Sequence, residues 1–154
     1  MRLALLFSLL AVFPASAEPL PARTGWAVHD TDFPHVELFD RLKSAVKQEG
    51  LIVVTRAGPT KAAKARGIQI PDNMVFGVYN NDYAVRALAL STAAMIEAPI
   101  RFYLTGDGDG TATLSYKLPS TVFSPYFDEG GPELEALAAE LDAKFASIAA
   151  AAIN

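Results

Sequence analysis

Two histidines, His29 and His35, are the only imidazoles in the chain, and Asp30 and Asp32 stand beside them. Imidazole with carboxylate is a metal-ligating or acid–base combination. Their spacing runs across a junction between strand and helix, so they do not share a helix face as ligand pairs at i and i+4 do. They define the chemical alternative: a small enzyme or metal-binding accessory protein using His29, His35 and the neighbouring carboxylates. A second set, Tyr79, Asn80, Arg86, Arg101 and Tyr116, offers hydroxyl, amide and guanidinium groups that could converge on a small anion if strand ends bring them together. The opposing reading pairs Arg101 with Glu97 or Asp107 and packs the tyrosines in a sheet with their hydroxyls wet. Gly106-Asp-Gly-Asp-Gly has the residues of a tight hairpin turn. As a calcium loop it lacks the closing carboxylate, because Leu118 stands where that residue belongs. Ser91 sits in an apolar stretch without the Gly-x-Ser-x-Gly elbow, and neither phosphate-binding glycine pattern occurs.

The elements that must position these groups can be read from period and punctuation. Thr24 to His29 reads as a first strand with Trp26 and Val28 on one face, the indole packed on the core. Asp32, Pro34 and Glu37 mark a helix start. Val36, Phe39, Leu42 and Val46 then form an apolar stripe as far as about Glu49, and Gly50 ends the helix. Leu51-Ile-Val-Val-Thr is β-branched and apolar throughout, which predicts a strand central in its sheet or covered on both faces. Lys61 to Arg66 makes two helical turns closed by Gly67, its three basic residues forming a solvated face. Val75 to Tyr79 is a third strand, with Asn80-Asn81 as a helix cap. Ala84 to Ile96 predicts a helix buried around most of its circumference by sheet, helix or a second subunit. Ile100 to Leu104 alternates, with Ile100, Phe102 and Leu104 on one face and Arg101 and Tyr103 on the other, and Thr111 to Tyr116 is the return strand. Leu118 to Gly131 reads as a long irregular covering loop. Pro132 opens a last helix whose Leu134, Leu137, Leu141, Phe145 and Ile148 share a side.

The first residues carry an address. Arg2, the apolar run Leu3 to Phe13 and Ala15-Ser-Ala before Glu18 have the form of a cleaved signal peptide, residues 1–17. That run is too short for a hydrocarbon core about 30 Å thick, which takes roughly 20 residues, so no stable membrane insertion is expected after cleavage. Residues 18–23, with two prolines, form a flexible leader, and residues 24–154 a single α+β domain. The chain has no cysteine, which excludes disulfides, thiolate nucleophiles and cysteine metal sites. Its formal charge of −4 gives no long-range attraction to nucleic acid.

The order of these features resembles the domain of unknown function 302 family over roughly Gly25 to Pro119. The resemblance is carried by Gln48-Glu-Gly-Leu-Ile-Val-Val, Ala62-Ala-Lys-Ala-Arg-Gly-Ile, Val75-Phe-Gly-Val-Tyr-Asn, Ala98-Pro-Ile-Arg-Phe and Gly110-Thr-Ala-Thr-Leu-Ser-Tyr, with Pro119 after the last. Where the family usually has proline after the asparagine, this chain has Asn81. The resemblance implies a small, dimeric α+β protein and no particular activity. The expectation is therefore a two-layer α+β sandwich, its sheet antiparallel or mixed and its helices mainly on one face. Such a domain would be exported to the periplasm and non-catalytic. It would need no cofactor and would bind a small anionic ligand or a periplasmic protein partner as a homodimer.

Overall fold

The computed structural model describes residues 19–154; the expected signal peptide, residues 1–17, lies outside them. Among the described residues the strands are β1 (Trp26–Thr31), β2 (Ile52–Ala57), β3 (Asn73–Tyr79), β4 (Ile100–Gly106) and β5 (Ala112–Lys117). The helices are α1 (His35–Gln48), α2 (Thr60–Ala65), α3 (Asn81–Leu90), α4 (Pro119–Phe123) and α5 (Phe127–Ile153). The strands make one antiparallel sheet in the order β1-β5-β4-β3-β2. Because side chains alternate across a strand, the register sorts the sheet into two unlike faces. Phe76, Phe102 and Tyr116 form one row of the inner face, and Met74, Leu104 and Leu114 the next.

Helices α1 and α5 cover that face. The Phe145 ring of α5 stacks on Phe102 at 4.5 Å and tilts against Tyr116 at 5.5 Å, while Phe39 of α1 meets Phe76 at 5.1 Å. Each such ring removed from water is worth about 1.5–3 kcal/mol, which makes this seam the main source of stability in a chain without cross-links. Leu134, Leu137, Leu141, Phe145 and Ile148 are all buried, as their spacing predicts. Within α5, Gly131 adopts a φ of 63°, and Pro132 opens the long straight segment beyond it. The molecule is an α+β sandwich.

Four local expectations differ from what is observed. On α1 the buried residues are Leu38, Leu42, Ala45 and Val46, while Val36 is 70% exposed, so the apolar stripe is rotated from the one expected. Strand β2 is an edge strand, with Ile52 and Val54 exposed and a register shift between Val53 and Thr55. Its β-branched run records strand propensity, which does not distinguish edge from centre. The helix expected to reach Ile96 stops at Leu90. There Ser91 is extended and its hydroxyl accepts from the Ala94 amide at 3.0 Å, starting a short 3-10 turn over Ala94–Glu97. Leu118 to Gly131 is mostly helical. Pro119 begins α4, whose first turn is capped from afar, since the Ser120 amide donates to Asp142 at 2.8 Å.

Candidate functional site on the open face of the sheet

The second face of the sheet has no row of large apolar side chains, and its residues fall into three transverse rows. In the first, Trp26 of β1 is opposite Lys117 of β5, and Arg101 of β4 is opposite Gly77 of β3. The β4–β5 register, which pairs Phe102 with Tyr116, carries one step on to bring Arg101 level with Lys117. In the second row Val28, Ser115, Tyr103, Val75 and Ala57 follow one another from edge to edge. The third holds Asp30, Thr113, Thr105 and Asn73. Cations thus stand at one end of the face and carboxylates at the other, with small and apolar side chains between them.

Around the first two rows lies a groove of about 430 Å³, lined by Trp26, Asn73, Val75, Glu97, Arg101, Tyr103, Lys117 and Val122, with Ile100 and Tyr116 at its border. Its rim comes from α4, through Val122, and from the turn that carries Glu97. Gly25 seats that rim. Its φ of 76° and a close approach of Thr121 leave no room for a Cβ, and its carbonyl accepts from the Leu118 amide at 2.9 Å. At Gly77 an added Cβ would collide with Thr55 Oγ1 and Pro99, whose side chains cover the backbone beside Arg101. The Lys117 ammonium lies 5.8 Å from the centre of the Trp26 ring and the Arg23 guanidinium 5.3 Å from it, both within cation–π range. Farther along the face, Leu20 of the leader encloses a smaller pocket with Tyr103, Thr105, Ile70 and Pro71.

Charge in the groove is not neutralised internally. Among the described residues neither Arg101 nor Lys117 forms an ion pair. Glu97, the carboxylate in the groove lining, is held by the Tyr126 hydroxyl, which donates to it at 2.9 Å, a contact that raises the tyrosine's pKa. At the acidic end, the Thr113 hydroxyl lies 2.8 Å from Asp107 Oδ2 and 3.2 Å from Asp30 Oδ1, with one proton to give. Burial pushes the Asp107 carboxyl above its ordinary range, and its Oδ1 is buried without a partner.

The residues singled out from sequence fall in several places. Arg101 is in the groove. Tyr116 borders it, but its ring packs inward on Phe102, Phe145 and His29, and burial raises its pKa. Asn80 caps α3, accepting from the Asp82 and Tyr83 amides and donating to the Gly50 carbonyl. With Tyr79 it also lines a small apolar cavity of about 40 Å³ between β3, α3 and α5. Arg86 pairs with Glu140 of α5 at 2.8 Å. His29 stacks on Tyr116, whereas His35 opens α1 and lines a separate cleft with Asp107 and Asp72. No group of three or more histidines and carboxylates among the described residues is placed to hold a metal ion.

The family model described as a domain of unknown function, DUF302, matches residues 28–152. The chain belongs to the DUF302 family. Among solved structures, the crystal structure of an uncharacterized conserved DUF302 protein from Bacillus stearothermophilus aligns with a TM-score of 0.74 at 20% identity. That alignment covers 84% of this chain and 99% of that one, a likeness of fold. A comparison with curated proteins finds no match. In this DUF302 domain, Trp26, Lys117, Tyr103, Asn73 and Glu97 are groove residues that the sequence reading did not assemble. The alternation of β4 already placed Arg101 and Tyr103 on one face. The order of strands, which sets Trp26 beside Lys117, has no local signal. The Trp26 face was expected to pack on the core and instead faces outward.

Proposed function

We propose that this DUF302 protein is an exported, non-catalytic binding domain that takes a small anionic ligand in the groove of its open sheet face and works as a homodimer. The observation that carries the ligand reading is the placement of Arg101 and Lys117 side by side on neighbouring strands, without carboxylate partners. Like charges directly opposite in a sheet oppose folding by up to about 1 kcal/mol, and a bound anion turns that cost into affinity. Arg101 supplies a planar fork for a carboxylate or phosphate, and Lys117 a mobile point charge. The first residues, Arg2, Leu3 to Phe13 and Ala15-Ser-Ala, support export. Pairing with a second copy is supported by α3, which exposes Val85 and Leu88, and by Ile96 just beyond it at 79% exposure.

Isothermal titration with a panel of small carboxylates and inorganic phosphate tests the ligand reading. At least one anion should give saturable heat that is lost when Arg101 and Lys117 are both replaced by Ala. A panel that gives no heat, or heat unchanged in that double variant, would overturn the reading.

A further inference from the structure

Resting on the anion reading above, we infer that the groove selects one class of anion: a monocarboxylate with a flat aromatic body a short distance from its charge. Arg101 and Lys117 contribute two positive charges and Glu97 one negative charge, so the lining matches a monoanion better than a phosphate dianion. Tyr103 and Val75 lie one row from Arg101 and Gly77, two residues along each strand, a step of roughly 7 Å. A carboxylate seated between the two cations therefore puts anything about 7 Å long over Tyr103 and Val75.

The shape of the lining then selects a ring over a chain. Thr55 and Pro99 cover Gly77 and Ser115 is fully buried, so the surface a ligand meets is made by the larger side chains Trp26, Tyr103, Val75 and Val122. Trp26 at one wall and Tyr103 along the floor offer aromatic surface to an arene in stacked or edge-on contact. A volume of about 430 Å³ accommodates one such molecule and is far too small for a folded segment.

Trp26 is the only tryptophan in the chain, so its fluorescence reports on this groove directly. The protein is titrated with 3-phenylpropionate, which is transparent at the excitation wavelength of tryptophan, and with three relatives that each lack one feature. Octanoate has no ring, 3-phenylpropanol no charge, and inorganic phosphate no body. A saturable change is expected for 3-phenylpropionate, with binding about tenfold or more tighter than for the other three. Arg101→Ala and, separately, Lys117→Ala should each weaken it about tenfold with unchanged far-ultraviolet circular dichroism, and Arg101→Lys should recover part of the loss.

Octanoate or phosphate binding as tightly as 3-phenylpropionate would overturn the aromatic class while leaving the anion reading intact. Equal binding of 3-phenylpropanol, or no binding by any of the four, would remove both. So would a self-association, seen by light scattering, that shields Trp26 from added quencher.

Discussion

Asp107 is the carboxylate whose surroundings fit it worst. Burial raises its pKa, Asp30 and Asp109 repel its charge, and the single proton on Thr113 is shared with Asp30. A carboxyl with a raised native pKa favours the folded state most strongly below its unfolded pKa, and that contribution is lost as pH rises through the native pKa. Asp107→Asn keeps the hydrogen-bonding shape without the charge. It should therefore raise Tm at pH 7 and leave it nearly unchanged near pH 3, measured by thermal denaturation across that range. A lower Tm for the variant at pH 7 would mean that the ionised form is the one the fold prefers. Asn80 presents the opposite case, a side chain with three hydrogen bonds, two accepted and one donated. Asn80→Ala removes the α3 cap and the tie to Gly50, and should cost about 1–2 kcal/mol in urea denaturation. Asn81 occupies the first position of α3, where a proline would also be accepted, so its departure from the family pattern leaves the cap geometry intact.

Elements were legible where one face is buried and the other wet. The alternation of Ile100 to Leu104 and the spacing of Leu134 to Ile148 each have a single core-facing solution, and the structure adopts it. Legibility failed where burial is decided by what lies alongside. The β2 run looks central yet lies on an edge, and α1 turns Leu38 and Ala45 inward where Val36 was expected. The alanines of the 84–96 stretch suggested a helix buried around most of its circumference, but small side chains fit a close approach on one side as readily as wide burial, and Ser91 ends the helix early. The phase of α1 has a measurable consequence. Phe145→Ala, at the centre of the ring cluster, should destabilise by about 3–5 kcal/mol, whereas Val36→Ala on the exposed side of α1 should stay within about 0.5 kcal/mol. A large loss from Val36→Ala would mean that its side chain is covered in solution.

At the scale of the whole molecule, helices on one face leave the other free to be a surface of recognition. The first and second rows of that surface belong to strands distant in sequence, so Arg101 was visible as a candidate while its neighbours Trp26 and Lys117 were not. The proposed dimer draws on a different surface, α3, so ligand and second copy need not compete. Light scattering at high micromolar concentration should give the mass of a dimer, reduced to that of a monomer by replacing Val85 and Leu88 with Ser; a monomer mass for the unaltered protein would contradict the dimer. In the proposed function an anion binds at the cationic end of the open face. Backbone and indole chemical shifts followed by nuclear magnetic resonance during titration with 3-phenylpropionate address it most directly. Perturbations centred on Trp26, Val75, Arg101, Tyr103 and Lys117 are expected. Perturbations centred on α3 and the cavity beside Tyr79, or none on the sheet face, would contradict binding there.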